Sequence, residues 1–71
     1  MTEAMLKRQI KRYGNDAIRL KHKGDMSYAA WKEHGDKSDY LNSQRYYESA
    51  RRADKIRKEY EAHLRNLRND N

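Results

Sequence analysis

From Ser38 to Leu67 the chain has neither glycine nor proline, and one set of residues recurs at alternating steps of three and four: Ser43, Tyr46, Ala50, Ala53, Arg57, Tyr60, Leu64 and Leu67. Residues at that spacing stack along one side of an α-helix, so the stretch predicts one long helix with a narrow seam. The seam has the width of a coiled coil rather than of a helix lying on a large core. Such a strip needs covering by another helix.

The same chain supplies one. Leu6, Ile10, Tyr13, Ala17 and Leu20 form a second seam, which continues at helical spacing through Gly24, Tyr28 and Trp31. Gly24-Asp25 reads locally as a helix stop followed by a helix start. An internal glycine costs only about 1 kcal/mol relative to alanine, however, so the unbroken periodicity favours a single helix, at most kinked there. Gly35-Asp36-Lys37-Ser38 is the stronger break, because glycine tolerates the left-handed conformation that ends a helix and Asp36 or Ser38 can cap the next. The expected fold is all-α: a long antiparallel two-helix hairpin over residues 3–33 and 37–68, forming a single domain. The other arrangement compatible with the pattern has three helices, the middle one running from Met26 to His34. Met1, Thr2 and Asn69 to Asn71 are expected to fray.

Folding about Gly35 pairs the two seams. Trp31 meets Tyr40, Tyr28 meets Ser43, Gly24 faces Tyr46 and Tyr47, Leu20 faces Ala50, and Ala17 faces Ala53. Tyr13 falls beside Arg57, Ile10 beside Tyr60, and Leu6 beside Leu64 and Leu67. Large residues meet small ones, as interdigitating layers require. Gly24 thereby gains a packing role: it leaves room for a tyrosine ring.

Composition limits how well such a hairpin can stand by itself. Only 35% of the 71 residues are hydrophobic and 39% are charged, and without cysteine no disulfide can add support. Small scaffolds with thin cores commonly gain burial by self-association, so two hairpins are expected to assemble as a dimeric four-helix bundle. Trp31, Tyr40, Tyr46, Tyr47 and Arg57 are the candidate oligomer or partner residues. Tryptophan, tyrosine and arginine are enriched at interfaces, and a polar residue in a seam sets register or oligomeric state. Tyr46 and Tyr47, being adjacent, cannot both point straight into one seam.

The net charge is +6, distributed as +5 over residues 1–24, −2 over residues 25–50 and +3 over residues 51–71. The end of the hairpin carrying both termini is therefore basic, and the loop end acidic and aromatic. Lys7, Arg8, Lys11 and Arg12 cluster on the first arm; Arg51, Arg52, Lys58 and Arg65 are expected together on one outer flank of the second. These eight form the candidate phosphate-contacting surface, which would bind nucleic acid with strong salt dependence and little base discrimination. A solvated face held by ion pairs such as Asp54–Lys58 and Glu61–Arg65 accounts for the same pattern. A helix-turn-helix across Ser27 to Tyr47 is disfavoured, since His34 and Asp36 flank the turn and Gln44 stands where an apolar residue is needed.

No catalytic, cofactor or metal site is expected. His22, His34 and His63 lack ligand spacing, the serines lack a nucleophile-elbow context, and no glycine-rich phosphate loop occurs. No apolar run reaches the roughly 20 residues of a membrane span. The expected protein is a cytoplasmic, non-enzymatic interaction or adaptor module whose first partner is itself. Nucleic acid or an acidic protein is the alternative partner, and neither a membrane nor a small-molecule substrate is expected.

Overall fold

A computed structural model describes residues 1–69 and contains two helices, α1 (Glu3–His34) and α2 (Lys37–Asn69), packed against each other as a hairpin. The rod measures 56 × 13 × 13 Å between Cα atoms. The break falls where the sequence places it. Gly35 adopts φ 71° and ψ 14°, the left-handed conformation that ends α1, and its N–H donates to the Trp31 carbonyl at 2.7 Å. Asp36 then opens α2. Its carboxylate accepts from the Ser38 N–H at 2.9 Å and from the Ser38 hydroxyl at 2.8 Å, while its carbonyl accepts from the Asp39 N–H at 3.1 Å. These are orphan donors of a first helical turn, satisfied by a cap.

α1 passes through Gly24 as helix, so the three-helix arrangement is not formed. The N-terminus is also better anchored than expected. Thr2 caps α1, its hydroxyl accepting from the Met5 N–H at 3.2 Å and its carbonyl from the Leu6 N–H at 3.0 Å. Asn69 completes α2; the fraying expected of Asp70 and Asn71 lies outside the described residues.

The helices keep step along the whole rod. Four cross-helix approaches join residues at equal chain distances from the Gly35–Asp36 junction: Trp31 with Tyr40, Gly24 with Tyr47, Gly14 with Arg57, and Glu3 with Arg68. Trp31 and Tyr40 lie 4.8 Å apart between ring centroids and Tyr28 lies 5.4 Å from Trp31, both pairs tilted as aromatic quadrupoles prefer. At Gly24 a Cβ atom would stand 2.7 Å from Cε1 of Tyr47, so the ring occupies the space that a side chain would need. Tyr13 stacks on Tyr60 at 5.9 Å nearer the open end.

The core is as thin as the composition implies. Leu6, Ala50, Ala53 and Leu64 are its buried apolar side chains, joined by Gly24 and by Ser43, whose hydroxyl donates to the Tyr40 carbonyl at 2.6 Å. Ile10, Ala17, Leu20 and Leu67 face the seam but stay half-buried, because a two-helix seam covers each side chain on one side only.

Candidate interaction surface

The aromatic candidates divide their faces between the hairpin and solvent. Trp31, Tyr40, Tyr46 and Tyr47 are all half-buried. The Tyr47 ring fills the Gly24 notch, and its hydroxyl donates to the Asp25 carboxylate across the helix pair. That bond raises the Tyr47 phenol above its ordinary range, because ionisation would place an anion against Asp25. Tyr46 turns to the other side of the seam, beneath the Lys23 ammonium at 5.9 Å. Adjacent tyrosines thus leave the seam in two directions, and each has a partner within the chain.

Arg57 resolves its awkward position by bending outward. Its stem lies against Gly14, where an added Cβ would come 3.3 Å from the Arg57 Cδ. Its guanidinium reaches Asp54 at 2.6 Å and Glu61 at 3.0 Å. The hydrogen bond from Arg57 holds the Asp54 carboxyl below its usual range, with Lys58 adding to the effect at 3.3 Å. Asp54–Lys58 is therefore one of the ion pairs expected from spacing. Glu61 corrects the other, pairing with Arg57 instead of Arg65. Gly14 went unread in the sequence, although a glycine opposite a seam arginine is a signal for such a close approach.

The eight basic candidates are exposed, but they do not form one patch. Lys7 pairs with Glu3 at 3.4 Å and Arg52 with Glu48 at 2.6 Å. Among the described residues, Arg8, Lys11, Arg12, Arg51 and Arg65 have no carboxylate within 4.0 Å. Residues seven apart share a helix stripe. Lys7, Lys11, Arg51, Lys58 and Arg65 accordingly lie on one flank of the seam, Arg12 and Arg52 on the opposite flank, and Arg8 on the outer surface.

The basic flank also holds the feature that sequence reading missed. A trough with a volume of about 420 Å³ runs between the helices, lined by Ala17, Ile18, Lys21, Tyr47, Ala50, Arg51 and Asp54. Its floor is low because Ala17 and Ala50, which line it, have small side chains, and Ile18 stands on its rim with 71% of its surface exposed. A β-branched aliphatic in open water one residue off the seam was the available signal; following only the three-and-four pattern steps over it. Met26 and Leu41 are also exposed, but neither lines the trough. His22, His34 and His63 are exposed, and among the described residues no cluster of His, Cys, Asp or Glu could hold a metal ion. Among the same residues no helix is long and apolar enough to cross a membrane.

Comparison with protein families, with curated proteins and with solved structures gives no match, so the functional reading rests on the chain's own residues.

Proposed function

We propose that the hairpin is a non-enzymatic helical interaction module that works as a homo-oligomer, two hairpins making a four-helix bundle. The supporting observation is the incompletely covered seam: Ile10, Ala17, Leu20 and Leu67 remain half-buried while Ile18 stands exposed beside an apolar trough. A second hairpin is the simplest structure that finishes that burial. Sedimentation equilibrium tests it. The reading expects twice the chain mass at tens of micromolar, with a Kd of roughly 1 µM or tighter. A helical protein of single-chain mass at about 100 µM contradicts it.

A second reading follows from the five cations on one flank. Lys7, Lys11, Arg51, Lys58 and Arg65 form a track suited to a phosphate backbone. Retention on duplex DNA should then fall steeply with salt and weaken when Arg51 and Arg65 are replaced by glutamine. Retention indifferent to those changes removes this reading.

A further inference from the structure

We infer that the trough is a docking site for an acidic amphipathic helix of another protein, with Ile18, Ala17 and Ala50 taking its aliphatic side chains and Lys21 and Arg51 its carboxylates. The proposal goes beyond the homo-oligomer reading and stands without it. A second hairpin can finish the seam at Leu20 and Leu67, which do not line the trough, but here it would set like charges on like.

The shape of the recess points to a helix. The trough follows the line between two packed helices, the place where a third helix seats in a bundle. Its floor is Ala17 and Ala50, and Ile18 rises at the edge with 71% of its surface exposed. An aliphatic group standing in water beside an apolar recess marks a surface built for contact. A helix that presents leucines at steps of three and four would bury Ile18 along such a line.

Charge selects the kind of helix. Lys21 stands on the α1 bank and Arg51 on the α2 bank, both exposed, and among the described residues neither has a carboxylate within 4.0 Å. The same holds for Lys11 and Arg65, which share stripes with Ile18 and Arg51 at multiples of seven residues. Carboxylates on the trough's stripes are engaged within the chain. Asp54 holds Arg57 at 2.6 Å and Lys58 at 3.3 Å, and Glu61 holds Arg57 at 3.0 Å. Asp25 accepts from the Tyr47 hydroxyl, and Glu3 pairs with Lys7 and Arg68. The charge left to be answered on this flank is therefore positive, and it lies on both banks of an apolar line. A helix with leucines down its centre and glutamates to either side matches both features at once. A phosphate backbone answers the cations but brings no aliphatic group to the floor.

The test uses the full chain and a capped helical peptide of about 15 residues, with leucines at steps of three and four and glutamates beside them. Titration calorimetry should give a Kd of about 10–100 µM, and the Ile18, Ala17 and Ala50 methyl resonances should move. Ile18→Asp should weaken binding at least tenfold while circular dichroism stays helical, because the side chain lies outside the intrachain core. Met26→Asp and Leu41→Asp, exposed but off the trough, should leave binding unchanged. Lys21→Glu with Arg51→Glu should abolish binding of the glutamate peptide and create binding of its lysine counterpart, a gain that misfolding would not produce. Salt should weaken the wild-type complex several-fold without removing it, since the apolar contact is not screened. Binding that ignores Ile18→Asp, or that is equal for the glutamate and lysine peptides, overturns the proposal. So does a duplex DNA that displaces the peptide and binds Ile18→Asp as tightly as wild type, which assigns the flank to phosphates. A wild-type dimer dissolved by Ile18→Asp, with no peptide bound, overturns it in favour of a second copy.

Discussion

The loop half and the open half of the hairpin are held by different physics. In the loop half the fit is one of shape: Trp31 lies against Tyr40, Tyr47 sits in the notch at Gly24, and Gly35 and Asp36 turn the chain with a capped joint. In the open half, Leu6 and Leu64 are buried while charged groups tie the surface, Arg57 to Asp54 and Glu61 and Arg68 to Glu3 at 2.9 Å. Between them lies a stretch of alanines with little to bury. A narrow seam can thus be closed by rings or by aliphatics with ion pairs, and each choice leaves its own weakness.

The most disruptive change should be at Leu6, which is fully buried. Leu6→Ala should cost about 2–5 kcal/mol, enough in so thin a core to open the termini before the loop. Hydrogen exchange by residue would show it as lost protection concentrated in the open half. Equal loss from end to end would mean that the halves are not distinct.

Next comes a contrast between two glycines of the same helix. Alanine is the better helix former by about 1 kcal/mol at either site. At Gly24 the new methyl meets the face of a confined ring at 2.7 Å, and overpacking of this kind costs roughly 1–3 kcal/mol. At Gly14 it meets a flexible arginine stem at 3.3 Å, which can yield. Gly24→Ala should therefore lower the melting temperature and Gly14→Ala hold or raise it. Two changes of the same sign and size would erase the distinction between notch and stem.

Acid and alkali should sharpen the comparison from opposite sides. Hydrogen bonds from Arg68, Arg57 and the Ser38 N–H hold Glu3, Asp54 and Asp36 below their ordinary ranges. A depressed carboxylate supports the fold above its unfolded pKa, and that support disappears as pH falls through the folded value. Tyr47 is displaced upward by its bond to Asp25, so its support holds below the ordinary phenol range and is lost as pH rises through the raised value. Acid should thus loosen the open end and the cap of α2, and alkali the Gly24 notch. Tyr47→Phe should remove the alkaline effect attributable to this ring without touching the acid one. The smallest effect belongs to Arg68→Gln, because exposed ion pairs are screened by salt; any change in melting temperature should vanish at high ionic strength.

Much of the fold was legible because a seam read at helical spacing depends only on which residues are apolar or small. That was enough for the turn at Gly35, for Trp31 meeting Tyr40, and for a tyrosine over Gly24. It could not choose between Tyr46 and Tyr47, since that depends on which side of the seam each ring leaves. Nor could it place Arg57, whose head turns back to Asp54 and Glu61 on its own helix while only its stem crosses to Gly14. The trough was invisible for a related reason. A recess is made by what Ala17 and Ala50 lack, and Ile18 lies outside the repeating set that draws the eye. Surface cations could be counted along the sequence, but their division between two flanks required the helices to be docked.

The register of the hairpin underlies all of this, and through-space proton NMR measures it directly. Cross-peaks should join the Trp31 and Tyr40 rings, the Tyr47 ring and the Gly24 α-protons, and the Tyr13 and Tyr60 rings within one folded species. A helical chain in which Tyr47 shows no contact with Gly24 and the other rings pair a turn out of step would contradict the account.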